Sequence, residues 1–327
     1  MLSDFYRPGV ALDFPKGGTQ AIVAALVRGV TKHEGSHLHL NTHVSQLLID
    51  EEARRCVGVA TADGRRVMAR KAVISNADLW STRKLVDAAV GGGAVGGGAA
   101  GSVRAALAAE LQARVESVQR CDSFLHLHLG IDAAGLPPAS ELGIHHLVVD
   151  DWSKGVDGER NVFNISIPTT LDPSQAPEGK HTVHIYGAAN EPYKRWAATT
   201  RGSPEYEKMK REAADDLYRA LEKVIPDIRA RVEVEMVATP LTQKRFVRRH
   251  EGTYGPGVDM TRANLYGASL APGPATGVDG LWAVGDSTYP GIGVPAAAGS
   301  GFFTANSIVS VWKNLKMLYG PKIGKNV

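Results

Sequence analysis

The chain has 327 residues, long enough for one large or two ordinary domains with a substantial core. Hydrophobic residues at 43% and charged residues at 22% argue against wholesale disorder, and a formal charge of +3 does not point to nucleic acid. Cys56 and Cys121 stand far apart without a CxxC spacing, which argues against a disulfide framework or a thiolate metal site. No run of ~18 or more uncharged apolar residues occurs, so no transmembrane helix is expected. Residues 1–15 carry acids, prolines and aromatics and do not read as a signal or transit peptide.

Pro15-Lys16-Gly17-Gly18 introduces an amphipathic helix from about Thr19, with Ile22, Val23, Leu26, Val27 and Val30 at helical spacing and Gly35 as its stop. Extended signals follow at His37-Leu38-His39-Leu40, at residues 45–50, and at Cys56-Val57-Gly58-Val59. The last of these meets Arg65-Arg66-Val67-Met68 across Asp63-Gly64, a hairpin pair whose residues both tolerate positive φ. Lys71-Ala72-Val73-Ile74 then runs into Ser75-Asn76-Ala77-Asp78, and Arg83–Asp87 reads as helical. Residues 88–102 are a Gly/Ala tract expected to form a flexible surface insertion.

Strands are expected at Phe124-Leu125-His126-Leu127-His128-Leu129, over residues 161–167, and at Thr182-Val183-His184-Ile185-Tyr186. Ser203-Pro204-Glu205 starts a helix whose apolar stripe is Tyr206, Met209, Ala213, Leu217 and Leu221. Its polar other face predicts a surface helix lying over a sheet.

Gly91, Gly93 and Gly96 satisfy G-x-G-x-x-G literally, but no buried strand precedes them, and an Ala/Gly tract produces such matches by chance. His33, His37, His39 and His43 cluster in sequence, and His126 and His128 share one strand face. No carboxylate or cysteine completes a recognisable ligand set, so partly exposed strand histidines and no metal are expected. Neither G-x-S-x-G nor H-E-x-x-H occurs. The basic stretch from Gln243 to His250 reads either as a solvated strand or loop or as a surface for a membrane or an anionic cofactor.

Gly280-Leu281-Trp282-Ala283-Val284-Gly285-Asp286-Ser287 is sharper. It reads as a buried strand ending in a glycine turn that delivers one carboxylate. Pro290-Gly291-Ile292-Gly293-Val294-Pro295 follows, and then a helix of small residues whose distal turns Phe302, Phe303, Ile308, Val309 and Trp312 should anchor. A cofactor rich in hydroxyls needs such a fixed acceptor, an approachable backbone and a helix N-terminus.

The order of Pro15-Lys16-Gly17-Gly18, Leu40-Asn41-Thr42-His43-Val44, Val73-Ile74-Ser75-Asn76-Ala77-Asp78, residues 167–174, Ala176-Pro177-Glu178-Gly179, Gly252-Thr253-Tyr254-Gly255-Pro256 and the Gly285-Asp286 segment resembles the phytoene desaturase/carotenoid isomerase group of FAD-dependent oxidoreductases. The resemblance covers most of the chain apart from the Gly/Ala tract. It implies an α/β fold with α+β character in its second region: an incomplete Rossmann-like FAD-binding domain with an inserted substrate domain. Cofactor parts would be residues 1–76 and 248–327, and residues 77–247 the substrate domain.

By the same resemblance Asp286, after Gly285, holds the ribityl hydroxyls. Gly293 and Val294 lie along the flavin ring, and the helix from Pro295 directs its dipole at the ring's pyrimidine end. Val44 offers its backbone to adenine, and Ser75 and Asn76 lie near the cofactor. No catalytic acid or base is assigned. The partner would be a hydrophobic polyene of carotenoid type, with peripheral membrane contact and compatibility with a plastid location. The family opens with a βαβ glycine fingerprint that has no counterpart here, so an N-terminally truncated chain is expected. Two rival readings stay open: an amine oxidase-like flavoprotein, and a catalytically silent fragment acting as a binding protein.

Overall fold

A computed structural model describes residues 14–87, 103–156, 158–257, 272–310 and 312–313. The Gly/Ala insertion, with its Gly91, Gly93 and Gly96 match, lies outside the described residues. In chain order the elements begin α1 (Gly18–Thr31), β1 (Val44–Asp50), β2 (Arg55–Thr61), β3 (Arg66–Met68), β4 (Val73–Ser75), α2 (Leu79–Asp87) and α3 (Val103–Glu116). There follow β5 (Gln119–Arg120), β6 (Ser123–Asp132), α4 (Ala139–Leu142), β7 (His145–Val149), β8 (Val162–Ser166) and β9 (Lys180–Glu191). The last are α5 (Pro204–Glu222), α6 (Ile228–Arg231), β10 (Val232–Ala238), α7 (Pro240–Phe246), β11 (Pro256–Gly257), β12 (Leu281–Ala283) and α8 (Val294–Ile308).

Two units divide the chain: Met1–Leu40 with Asp122–Gln243, and Asn41–Cys121 with Lys244–Val327. These contact boundaries assign α1 and residues 77–121 otherwise than the functional breaks expected at 76 and 247.

The first unit is built on a five-stranded antiparallel sheet of order β10-β6-β9-β8-β7. Strict alternation along β6 sends Leu125, Leu127, Leu129 and Ile131 into the core and His126 and His128 to the other face. α5 covers the core face, as its stripe predicts, burying Tyr206, Ala213, Leu217 and Leu221. Ser203 caps it by accepting a hydrogen bond from the Tyr206 amide at 3.2 Å.

α1 forms where expected, but its stripe is not covered among the described residues: Leu26 is 67% exposed. Its entry is held instead by the Gly17 amide, which donates to Asp172 Oδ2 at 2.9 Å. The strand expected at His37–Leu40 is absent, and the segment runs as irregular backbone. Alternation alone does not make a strand where no neighbour supplies a ladder.

A buried charge knits the edge of this unit. Glu191 is fully buried, and Arg160 grips it through Nε and Nη2, each at 2.8 Å. Arg160 Nη1 also donates to Asp216 on α5 at 2.9 Å, and the indole of buried Trp196 donates to Glu191 Oε1 at 2.7 Å. Breaking such a pair leaves an uncompensated buried charge, at a cost of about 3–5 kcal/mol.

The second unit combines an antiparallel β1-β2-β3 meander with a parallel β4–β12 pair and a short β5–β11 pair. The β2–β3 hairpin turns at Asp63-Gly64 as expected, with Gly64 at φ 87. Leu47, Cys56, Val86, Leu111, Val278 and Leu281 form its core between the strands and the α2–α3 pair.

α8 docks on β12 through hydroxyls rather than an apolar stripe. Ser300 Oγ accepts from the Gly285 amide at 2.8 Å, and Thr304 Oγ1 donates to the Ala283 carbonyl at 3.0 Å. The expectation that Phe302, Phe303 and Trp312 anchor the distal turns fails: all three are exposed, because the Ser300–Thr304 face is the one turned inward. Gly285 has φ 101, and a Cβ there would lie 2.2 Å from Asn76 Oδ1. A Cβ on Gly299 would meet Pro290 at an ordinary 3.4 Å.

Two stability measurements check these packing arguments. Arg160→Met should lower the unfolding free energy in urea by about 3–5 kcal/mol, whereas a surface pair would give under about 1 kcal/mol. Gly285→Ala should cost more than the roughly 1–3 kcal/mol of a strained φ alone, while Gly299→Ala, mid-helix, should gain about 0.5–1 kcal/mol. Equal effects of the two alanines would contradict the packing described for Gly285.

Candidate functional site

The parallel ladder pairs Val73 with Leu281, Ile74 with Trp282 and Ser75 with Ala283, and the Val284 amide extends it by donating to the Ser75 carbonyl at 2.9 Å. Both strands therefore end together, and both chains turn away at the same edge. On the β4 side, buried Ser75 shares a hydrogen bond with Thr82 at 2.7 Å, which ties the strand end to α2. Asp78 accepts the Ser81 amide on α2 and the His250 amide, each at 2.6 Å. On the β12 side, Gly285 folds against Asn76 and sends the chain into Asp286.

Asp286 is not loose in solvent. Arg249 Nη1 lies 3.0 Å from Oδ1 and 2.8 Å from Oδ2, and the Asp286 side chain keeps 28% exposure. Arg249 is itself fixed, its Nε donating to the Thr253 carbonyl at 3.0 Å and its Nη2 to the Tyr254 carbonyl. One guanidinium nitrogen thus serves both carboxylate oxygens and leaves lone pairs on their open side. Next to this, His250 stacks on Trp80 at 5.8 Å between ring centroids. Burial, assisted by the charge of Lys84, pushes the His250 pKa down.

Beyond Asp286 the chain opens out. Among the described residues, a Cβ on Gly291 would meet nothing within 4 Å, and one on Gly293 would approach only Pro295. Gly293 is the N-cap of α8 and has no side chain with which to cap it, and Pro295 in the first turn carries no amide proton. Val294 presents an exposed apolar side chain beside them. A hydroxyl-rich chain could donate to Asp286 while an anionic or electron-rich group faces the helix N-terminus.

Ser75, Asn76, Gly285 and Asp286 are therefore brought together, with the helix that starts at Gly293, Val294 and Pro295 tied to them through Ser300. Val44 is not joined to that cluster by any hydrogen bond among the described residues. It opens β1 opposite Thr61. Arg249, Asp78 and Ser300 were not singled out from sequence. Arg249 lay within the basic stretch read as facing a membrane or anion, or as a solvated strand or loop. Part of that stretch is α7, and Arg249 turns inward to a carboxylate.

A second cluster sits in the first unit, on the sheet face opposite α5. His126 and His128 share that face as expected, and β9 adds His184 directly across from His128. His126 Nδ1 and His184 Nε2 are 3.0 Å apart, and the rings of His128 and His184 stack at 4.1 Å. Burial, with smaller repulsion between the rings, pushes His126 down to about 4 and His184 to about 3, and burial lowers His128 as well. Near neutral pH all three rings are uncharged, and of the paired nitrogens of His126 and His184 one donates its proton to the lone pair of the other.

No family model matches the chain. It is 34% identical over 317 residues to the chloroplastic prolycopene isomerase of Daucus carota, covering 95% of this chain and 46% of that protein. The neurosporene-forming phytoene desaturase of Rhodobacter capsulatus is 27% identical over 302 residues, covering 89% of this chain and 52% of the desaturase. A solved oxidoreductase from Methanosarcina mazei superposes with a TM-score of 0.53 at 20% identity, covering 88% of this chain and 54% of that one, and shares its fold. The chain spans about half the length of the curated relatives it matches. Over 95% of its own length, this mixed α/β chain is similar to prolycopene isomerases, and more distantly to phytoene desaturases.

Proposed function

We propose that this chain supplies the polyol-holding and ring-facing part of an FAD site in a carotenoid-type oxidoreductase or isomerase acting on a hydrophobic polyene. The observation that carries the reading is Asp286, clasped by Arg249 at the end of β12 and followed by the open N-terminus of α8. The 34% identity to prolycopene isomerases supports it.

The residues present fit the polyol and ring end of such a cofactor. FAD, when bound, supplies electron and hydride transfer chemistry that no side chain here provides. Asp286 would accept hydrogen bonds from the ribityl hydroxyls, and Arg249 would hold the carboxylate aimed. Gly291 and Gly293 leave the space a flat ring requires, and Val294 would give it an apolar contact. The first amides of α8 would stabilise negative charge on the ring's polar edge. Ser75, Asn76 and Gly285 would form the wall behind the polyol, and the Val44 backbone would face adenine.

In this reading cofactor contacts come from residues 1–76 and 248–327, and polyene contacts from 77–247. That is a functional division, distinct from the contact boundaries of the two units. A plastid location and peripheral membrane contact belong to the same proposal, since a polyene dissolves in lipid and the matched isomerases are named chloroplastic. Among the described residues no helix is long and apolar enough to cross a membrane.

Titrating FAD into the purified chain and following flavin fluorescence tests this. Saturable binding is expected, and Asp286→Ala should weaken it by about 1.5–3 kcal/mol, roughly 10- to 150-fold, as for loss of a charge-assisted hydrogen bond. Asp286→Asn, which keeps an acceptor without the charge, should lose less. Equal affinity of the wild type and Asp286→Ala, with circular dichroism unchanged, would remove Asp286 from the site.

A further inference from the structure

β6 and β9 are adjacent inner strands of the first unit's sheet, and their register is set by the core. Leu125, Leu127 and Leu129 on β6 and Val183 and Ile185 on β9 are all buried. A one-residue slip of either strand would turn these side chains out, so the register is strongly specified. The same register dictates what faces outward. His128 stands directly opposite His184, and His126, two residues along β6, stands diagonal to it.

The three imidazoles converge. One nitrogen from each lies within 4.8 Å of the others, and His126 Nδ1 and His184 Nε2 are already 3.0 Å apart. Phe124 stacks on His126 at 5.0 Å and Tyr186 on His184 at 5.0 Å, so aromatic neighbours limit how far either ring swings. His126 and His184 are half-buried and His128 is exposed, which leaves one side of the cluster accessible to solvent.

We propose that His126, His128 and His184 form a binding site for a borderline divalent cation of the zinc type, held by three imidazole nitrogens with a fourth position open. Metal–nitrogen bonds of about 2.0–2.1 Å around a tetrahedral ion need ring nitrogens roughly 3.3–3.5 Å apart, a spacing the cluster reaches by small ring rotations. The donor set is all nitrogen. That selects zinc, cobalt, nickel or copper over magnesium and calcium, which require oxygen ligands. Among the described residues no carboxylate joins the three rings, so the open position favours water, hydroxide or a small anion.

The alternative for the same atoms is an aromatic patch of neutral rings joined by a single hydrogen bond. It accounts for the stacking of His128 on His184 and for the His126–His184 contact, so metal binding itself is what separates the two readings.

Cobalt titration of the whole chain in chelator-treated buffer distinguishes the two. The expected result is saturation at one equivalent, with the visible absorption of four- or five-coordinate Co2+ that Zn2+ then displaces. His184→Gln and His128→Gln should each weaken binding by more than about 100-fold, exceeding the 10- to 100-fold typical of losing an outer-shell partner. The double variant His37→Gln/His39→Gln, an exposed pair elsewhere, should leave it unchanged.

Because a substitution on β6 or β9 can disturb the sheet, nitrogen NMR of the wild-type histidine rings provides a second reading. Zn2+ at one equivalent should shift three imidazoles together. Absence of saturable cobalt binding, loss of binding in the His37/His39 variant, or ring signals unmoved by zinc would each overturn the site.

Discussion

Three residues of parallel ladder, Val73–Ser75 against Leu281–Ala283, hold together two segments far apart in the chain, and every feature of the candidate site takes its position from that pairing. Because the strands are parallel and end in register, Asn76 and Gly285 leave from the same edge and meet. Asn76 Oδ1 occupies the space that any side chain at 285 would need, and the Gly285 amide is spent on Ser300. The turn therefore has one available course, and it delivers Asp286 to Arg249. Short as it is, the ladder is locked from both sides: Ser75 to Thr82 on α2, and Ala283 to Thr304 on α8.

The use of hydroxyls to dock α8 follows from the same geometry. A helix that must leave its N-terminus open cannot surround that end with bulky side chains. Small residues at 296–301 keep it slim, and Ser300 and Thr304 satisfy backbone groups of β12 at close range. Polar contacts made to backbone in a buried seam contribute only about 1 kcal/mol each net, but leaving those groups unpaired costs more. The exposed Phe302 and Phe303 are the counterpart of this choice of inward face.

The first unit obeys a different constraint. Its sheet and α5 form an ordinary apolar core, whose alternation leaves the opposite sheet face free to carry chemistry without weakening the core. On that face five aromatic and imidazole rings, from Phe124, His126, His128, His184 and Tyr186, lie in mutual contact. At the edge of the unit the charge of Glu191 is taken out of water, tolerable because Arg160 and Trp196 together supply three donors to its two oxygens. Charge pairing recurs at Asp286, with one difference: the Asp286 side chain stays partly exposed, whereas Glu191 is fully buried.

Features that depend on neighbours in sequence were legible in the sequence alone. The Asp63-Gly64 hairpin follows from turn chemistry, α5 from its cap and apolar stripe, and the strand–glycine–acid–loop–helix order at 281–308 from local composition. The resemblance to carotenoid isomerases and phytoene desaturases rests on such local segments in order. Tertiary structure decided the rest: that Arg249 turns inward to Asp286, that β9 brings His184 to the pair on β6, that α1 leaves its stripe exposed, and that α8 turns hydroxyls rather than phenylalanines inward. Each of these depends on which strand lies beside which and in what register. Such contacts join residues tens to hundreds of positions apart, and local periodicity carries no information about them.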